Sequence, residues 1–314
     1  LLGEVVMEPA KVLPYFGSVD KPECHMLYNV TTMASTWNTI ATKDVGLLRR
    51  QMDQVCALPK EYVFLNYLRC HDDIGWGLDY DWLKQFGIEE VPHKKYLNDV
   101  LTGRGYDSDA RGELYNDDPR LGDARLCGTT ASLCGLETAL YENNPDKVKR
   151  AVACDLMLHA YMMVQSGIPM LYSGDEIGQV NDYTYKNDPE KRVDSRYIHR
   201  GKFDWKLADG RKRNGTVQKE LFDGIGKLRS IRSKEKVFDA SANVWTLDTW
   251  ENGILGVVRE LEGEQMTALF NFAEEDRTAW IEEEGEYMDL YTGKKVSLQA
   301  IKMEGHSFVL AKKC

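Results

Sequence analysis

The sequence lacks several features that would assign a protein to a broad class. No apolar run in the 314 residues approaches the length that spans a bilayer, and no cluster of basic residues offsets the net charge of −10. The seven cysteines are scattered, odd in number and without a CxxC pair. These absences argue against a membrane span, a nucleic-acid or anionic-membrane partner, a zinc site and a disulfide framework. They favour a cytoplasmic location.

The stretch richest in reactive side chains runs from Phe64 to Trp76. It opens as an apolar, β-rich run and changes at His71 into an imidazole, two carboxylates (Asp72 and Asp73) and a glycine turn. A short apolar run that ends in turn residues predicts a strand buried on both faces of a parallel sheet. Enzymes with α/β folds keep their sites at the carboxyl ends of such strands. An isolated Asp-Asp pair also suits a capped loop. Here the strand and the adjacent His favour a catalytic carboxylate.

The same pattern recurs elsewhere in the chain. A short apolar strand predicted at 167–173 ends in a glycine turn with Asp175 and Glu176, and a buried strand predicted at 1–6 contains Glu4. A carboxylate inside an apolar strand is costly to bury unless it is paired or functional, although a Glu at a strand end can also reach solvent. Helical spacing of apolar residues predicts helices over the segments 10–16, 32–55, 147–166 and 218–232. Strands and helices that alternate in this way indicate a parallel sheet.

The character of the sequence changes twice. From 77 to 146, turns rich in glycine and acids mark a long excursion of the kind that forms lids or binding loops. Arg125 lies in one of these turns, and on the residues alone a solvated side chain is favoured over a ligand contact. Beyond Val237 the pattern alternates, which is typical of a small antiparallel sandwich. The predicted domains are an α/β domain at 1–76 and 147–235, an inserted loop domain at 77–146, and an all-β domain at 240–314.

Several ordered motifs resemble the second half of the α-amylase superfamily, glycoside hydrolase family thirteen, and among its members they are most similar to amylosucrases. These motifs are Glu4-Val5-Val6, Ser35–Thr42, Asn66–Trp76, Gly122–Thr129, Gly167–Glu176 and Asp194–Arg200. The resemblance covers nearly the whole chain. It implies a partial (β/α)8 barrel of about strands 5–8, with the inserted loop domain after strand 7 and an antiparallel β-sandwich at the C-terminus. It also implies a retaining mechanism with three carboxylates.

The resemblance assigns roles residue by residue. Glu4 matches the general acid/base at the end of the fifth strand, and a desolvated Glu4 would have the raised pKa that this role needs. Asp72 matches the carboxylate that stabilises the transition state, and His71 matches its hydroxyl-binding neighbour. Asp73 and Arg125 match residues that amylosucrases use around the fructosyl part of sucrose.

One further match and two departures complete the comparison with the family. Arg196 matches the arginine whose ion pair closes the bottom of the glucose pocket. The family's nucleophilic Asp, in an Arg-x-Asp motif upstream of the general acid, has no match in these 314 residues, nor has the pocket-bottom Asp. The chain alone is therefore predicted to be inactive, with the missing N-terminal half of the barrel as its partner.

These matches predict a retaining glucosyltransferase or glycoside hydrolase that acts on sucrose or a related α-glucoside, with a glucan as acceptor. A sucrose hydrolase or an α-glucosidase is the alternative among enzymes. A non-catalytic carbohydrate-binding fragment is the alternative of a different class. No cofactor is expected, and no metal either, because the calcium ligands usual in amylases would lie mostly upstream.

Overall fold

The structure, a computed structural model, describes residues 1–7, 9–18 and 20–314. Its helices are α1 (Pro9–Phe16), α2 (Val30–Thr42), α3 (Gly46–Cys56), α4 (Tyr80–Leu83), α5 (Glu90–Leu101), α6 (Thr130–Leu133), α7 (Leu136–Tyr141), α8 (Pro145–Val164), α9 (Trp205–Ala208) and α10 (Val217–Lys234). Its strands are β1 (Leu2–Gly3), β2 (Met26–Tyr28), β3 (Val63–Asn66), β4 (Glu113–Tyr115), β5 (Arg125–Cys127), β6 (Ile168–Pro169), β7 (Asn243–Leu247), β8 (Ile254–Leu261), β9 (Glu264–Asn271), β10 (Arg277–Ala279), β11 (Tyr287–Asp289), β12 (Lys295–Val296), β13 (Ile301–Met303) and β14 (Phe308–Lys313).

The chain forms two compact units. The first unit comprises Leu1–Tyr67, Met157–Met170 and Ile225–Cys314, and the second comprises Leu68–Leu156 and Leu171–Gly224. No helix in the described part of the chain is long and apolar enough to cross a membrane. The cytoplasmic location and the domain boundaries expected from the sequence stay predictions.

A parallel sheet in the first unit has the order β1-β2-β3-β6. Every pairing in it is parallel, with Leu27 opposite Phe64 and Leu65 opposite Ile168. Leu27 is fully buried and Phe64 nearly so, because the sheet packs against α1 and its neighbours. The prediction of a parallel sheet is therefore confirmed, and the chain leaves β3 directly towards the His71–Trp76 motif.

The expectation of a buried strand at 1–6 is wrong. The strand covers only Leu2–Gly3, and Leu2, Glu4 and Val6 are exposed. As an edge strand, β1 pairs with β2 on one side, so its apolar side chains have little to pack against among the described residues. Glu4 is thus not desolvated in this structure, and the burial expected for a general acid is absent.

The long helix predicted at 32–55 is two helices. Lys43 ends α2 in the left-handed conformation, with φ of 59°. The carboxylate of Asp44 then accepts the N–H of Gly46 at 2.7 Å, which satisfies a donor at the start of α3. Helices commonly end at a residue in the left-handed conformation, and that residue is usually glycine. Because the residue here is Lys43, the sequence gives no sign of the helix end.

The C-terminal part of the first unit is all β. Six strands form an antiparallel sheet in the order β12-β11-β14-β9-β8-β7, and β10 pairs with β13 in a small second sheet. Side chains from both sheets share one core, including Leu269 of β9, Ala279 of β10 and Met303 of β13. The predicted antiparallel architecture is confirmed here.

The second unit holds the excursion that follows the His71–Trp76 motif. The segment predicted as turns contains four short or medium helices, α4 to α7, and the antiparallel pair β4–β5. Asn98 of α5 accepts the indole N–H of Trp76 at 2.7 Å. Ile74 and Leu126 exchange backbone hydrogen bonds of 2.8 and 2.9 Å, which fixes the motif against β5.

Candidate functional site

A buried ion pair stabilises the base of the site in the second unit. Arg69, just after β3, contacts one carboxylate oxygen of Asp175 through Nε at 2.9 Å and Nη2 at 2.7 Å. Both side chains are only 2% exposed. Thr130 donates to the other oxygen at 3.0 Å, so the carboxylate is paired and hydrogen-bonded, as a buried charge requires. The strand-end acid Asp175 is therefore part of the framework.

Arg196 joins two carboxylates. Its Nε and Nη2 donate to the two oxygens of Asp194, each at 2.9 Å, and its Nη1 donates to Oδ1 of Asp72 at 3.0 Å. The guanidinium also lies 4.7 Å from the ring centroid of Tyr115. A bidentate pair fixes the plane of the guanidinium, so Asp194 orients Arg196 towards Asp72.

Asp72 is held in its charged form. Burial raises its pKa, but hydrogen bonds from Arg196 and from the backbone of Asp73, with the positive charge of Arg196, outweigh burial, and the pKa lies below its usual value. The side chain is 33% exposed, so the charge is accessible to a ligand. Asp72 thus provides a fixed negative charge in a partly open position.

Asp73 behaves in the opposite way. Burial and the neighbouring charge of Asp72 raise its pKa to about 6, although Arg125 and Arg196 act to lower it. Two adjacent carboxylates that titrate apart are typical of acid–base sites, where environments separate the pKa values of like groups.

Arg125 lies against the glycine turn of the motif. A Cβ atom built at Gly75 would lie 1.9 Å from Nη1 of Arg125, so a larger residue at position 75 would displace the guanidinium. The charge of Arg125 is close enough to influence the pKa of Asp73. The structure thus brings Arg125 to the site, where the residues alone favoured a solvated side chain.

The buried side chain of His199 makes hydrogen bonds with the backbone of Gly128 and His71. Its Nδ1 accepts the N–H of Gly128 at 3.0 Å, so Nε2 carries the proton and donates to the carbonyl of His71 at 3.4 Å. Burial, and then the charge of Arg69, lower the pKa of His199 to about 3. Arg200 also donates to the His71 carbonyl. The imidazole of His71 itself is exposed.

The structure therefore brings together most of the residues predicted from the sequence. Asp72, Asp73, Arg125 and Arg196 belong to one connected group in the second unit. Glu4 follows the edge strand of the first unit, and its role as general acid stays a prediction. Asp194 was not predicted as the partner of Arg196, although both lie in the Asp194–Arg200 motif. His199 lies in the same motif but was given no role.

No group of three or more His, Cys, Asp or Glu side chains in the described ranges could hold a metal ion. All seven cysteines are free thiols. The charged side chains grouped at the site are carboxylates and guanidiniums, which suit the recognition of hydroxyl groups and the stabilisation of positive charge.

Comparison with curated proteins finds distant sequence relatives, whereas no family model matches the chain. The chain is 21% identical over 261 residues to glucosylglycerate phosphorylase of Escherichia coli, covering 82% of this chain and 43% of that protein. It is 26% identical over 182 residues to trehalose synthase of Thermus thermophilus, covering 57% of this chain and 14% of that protein. Both relatives bear the names of enzymes.

Solved structures share the fold over nearly the full chain. Sucrose 6F-phosphate phosphorylase from Thermoanaerobacter thermosaccharolyticum matches with a TM-score of 0.62 and 17% identity, over 97% of this chain and 50% of that one. AmyP in complex with maltotriose matches with a TM-score of 0.62 and 13% identity, over 99% of this chain and 55% of that one.

These comparisons show that the chain shares the fold of the matched structures and is distantly similar in sequence to two enzymes. The motif resemblance to the α-amylase superfamily agrees with these likenesses. The chain spans less than half the length of the curated relatives it matches. The catalytic activity, substrates and partners of the whole protein are therefore matters for proposal.

Proposed function

We propose that this chain carries the Asp72 half of the catalytic centre of a retaining, amylosucrase-like enzyme that transfers a glucosyl unit from sucrose to a glucan. The observation that carries the proposal is the Asp72–Arg196–Asp194 chain of charges. It holds a partly open carboxylate in the ionised state.

The charge of Asp72 suits one step of this chemistry. Cleavage of a glycosidic bond passes through an oxocarbenium-like transition state, in which positive charge develops on the sugar ring. A carboxylate fixed in advance stabilises that charge without reorganising during the reaction. Asp72 is ionised before substrate arrives, because Arg196 and the Asp73 backbone keep its pKa low.

Asp73 and Arg125 are proposed to bind the leaving fructosyl unit. A guanidinium and a carboxylate next to one another donate to and accept from neighbouring hydroxyls, which suits a polyol. Asp73 follows Asp72 in the turn, and the Arg125 guanidinium lies against Gly75 of the same turn. Discrimination between sucrose and other α-glucosides is therefore assigned to this pair.

Two parts of the mechanism rest on the family resemblance alone. Glu4 is proposed as the general acid/base that protonates the leaving oxygen. The nucleophile that forms the covalent glucosyl intermediate has no counterpart in the motifs of these 314 residues. The chain by itself is therefore proposed to bind sugar without turning it over.

A second candidate function is phosphorolysis, in which inorganic phosphate takes the glucosyl unit and yields glucose 1-phosphate and fructose. The observation that favours it is the cluster of guanidiniums at the site: Arg200 lies 4.0 Å from Asp72, beside Arg196, and Arg125 faces Asp73. Guanidiniums are the preferred partners of phosphate. Two matched proteins are also named as phosphorylases.

The proposed function is tested by titrating the 314-residue chain with sucrose in a calorimeter, with and without phosphate. Loss of a charged hydrogen bond in Arg125→Ala is expected to weaken sucrose binding by about 10- to 150-fold. Arg120→Ala is the matched control, since Arg120 lies in the same segment with its side chain 86% exposed. Equal sucrose affinities in the wild type and both variants would show that Arg125 does not bind sucrose. An absence of sucrose binding to the wild type would contradict the proposal. Stronger phosphate binding to the wild type than to Arg200→Ala would favour phosphorolysis.

A further inference from the structure

The all-β part of the first unit carries two conspicuously exposed tryptophans. Trp250 is 72% exposed and Trp280 is 57% exposed, and both line one open pocket of about 710 Å³. Large aromatic side chains around an open pocket mark a binding surface, because exposing them to water is otherwise unfavourable. We propose that this pocket, called the indole pocket below, is a second carbohydrate site that binds an α-glucan or maltooligosaccharide chain. The ligand class rests on the proposed function.

The indole pocket is built on a rigid support. The hydroxyl of Thr249, a residue that is only 3% exposed, lies 2.8 Å from the carbonyl oxygen of Ile254 and 3.0 Å from that of Glu251. The carbonyl of Thr249 accepts the N–H of Trp280 at 2.9 Å. Ile281, 7% exposed and part of the hydrophobic core, also lines the pocket. The two segments that carry the tryptophans are thus fixed before a ligand arrives, which lowers the entropic cost of binding.

The backbone of the pocket is strained at two positions. Trp250 has φ of 56° and Ala300, which also lines the pocket, has φ of 50°. Residues with a Cβ rarely adopt this left-handed conformation, and a bulky one is an outlier there. Asp248 accepts the N–H of Trp250 at 2.9 Å and helps to hold the turn. Such strain persists where the surroundings fix it and is concentrated at ligand sites.

The rim of the pocket favours a neutral, hydroxyl-rich ligand. Glu282 and Gln299 are exposed residues of the rim, and Glu282 begins a run of three glutamates. Together with the net charge of −10, these acids repel nucleic acids and anionic lipids. A carboxylate and an amide bind sugar hydroxyls, and the flat apolar faces of pyranose rings pack on indoles. A sugar chain satisfies both parts of the pocket.

The proposal is tested by titrating the chain with maltoheptaose and following tryptophan fluorescence and heat. Trp250→Ala and Trp280→Ala are each expected to lower affinity by about tenfold or more, the loss typical of removing an aromatic anchor. Trp245→Ala is the matched control, because Trp245 lies on β7 of the same all-β part and is 41% exposed but does not line the pocket. Trp280→Phe keeps an aromatic face and is expected to restore part of the affinity. Circular dichroism verifies that each variant is folded.

The outcomes separate the indole pocket from the carboxylate site. Maltoheptaose binding that Trp250→Ala and Trp280→Ala each weaken, without any sucrose binding to the wild type, would refute the proposed function and support the proposed indole pocket. Unchanged maltoheptaose affinity in both Trp250→Ala and Trp280→Ala, or no maltoheptaose binding at all, would refute the proposed second carbohydrate site. The proposed function would not be affected by either result.

Discussion

Breaking the Arg69–Asp175 pair is expected to destabilise the second unit strongly. Asp175→Asn removes the negative charge that two Arg69 nitrogens contact at 2.9 and 2.7 Å. The Arg69 guanidinium, only 2% exposed, would then be buried without this counter-charge. Two charged hydrogen bonds at about 1.5–3 kcal/mol each give about 3–6 kcal/mol. A buried ion pair that loses one partner typically costs about 3–5 kcal/mol, which agrees. The same loss is expected for Arg69→Met.

Urea unfolding, followed by tryptophan fluorescence, measures this effect. The double variant Arg69→Met with Asp175→Asn is expected to be at least as stable as the less stable of the two single variants, because the double variant buries no uncompensated charge. Arg120→Ala is the control, since the Arg120 side chain, which pairs with Asp118, is 86% exposed. Single-variant losses below about 1 kcal/mol, as at surface pairs, would refute the reasoning. So would losses that simply add in the double variant.

The remaining predictions concern titration and catalysis. His199 stays neutral down to pH about 3, whereas in the unfolded chain it takes a proton below about 6.5. Folded stability should therefore fall by about 2–3 kcal/mol from pH 6.5 to 4.5, and calorimetric melts of His199→Gln should lack that slope. Asp73 ionises as pH rises through about 6, so sucrose affinity should rise there, and Asp73→Asn should show no such rise. The chain alone should release no glucose or fructose from sucrose. Release at a normal enzymatic rate, abolished by Glu4→Gln, would contradict the proposal that these residues lack the nucleophile.

Elements with a strong periodic pattern could be predicted from the sequence. Helix α8 was expected at 147–166 and lies at Pro145–Val164, and α10 was expected at 218–232 and lies at Val217–Lys234. Both have apolar faces that repeat over several turns. The break at Lys43 was missed because no glycine marks it, and α5 was missed because polar residues dominate its sequence.

Candidate site residues could be named from the sequence where the family motifs were local. His71 to Asp73 and Arg196 each lie in a contiguous motif, and the structure groups Asp72, Asp73 and Arg196. Pairing across the chain could not be found in this way: Arg69 and Asp175 are separated by 106 residues. The exposure of Glu4 also depends on neighbouring strands, which the residues around it do not specify.

The most direct test of the account is the affinity of the chain for methyl α-glucoside, measured by calorimetry in the wild type, Asp72→Asn and Arg125→Ala. A fixed negative charge at Asp72 that binds the glucosyl ring predicts a loss of at least about tenfold in Asp72→Asn. Arg125→Ala should bind this ligand as the wild type does, because the ligand has no fructosyl unit. Unchanged affinity in Asp72→Asn, with binding intact in the wild type, would contradict the assignment of Asp72 to the glucosyl site.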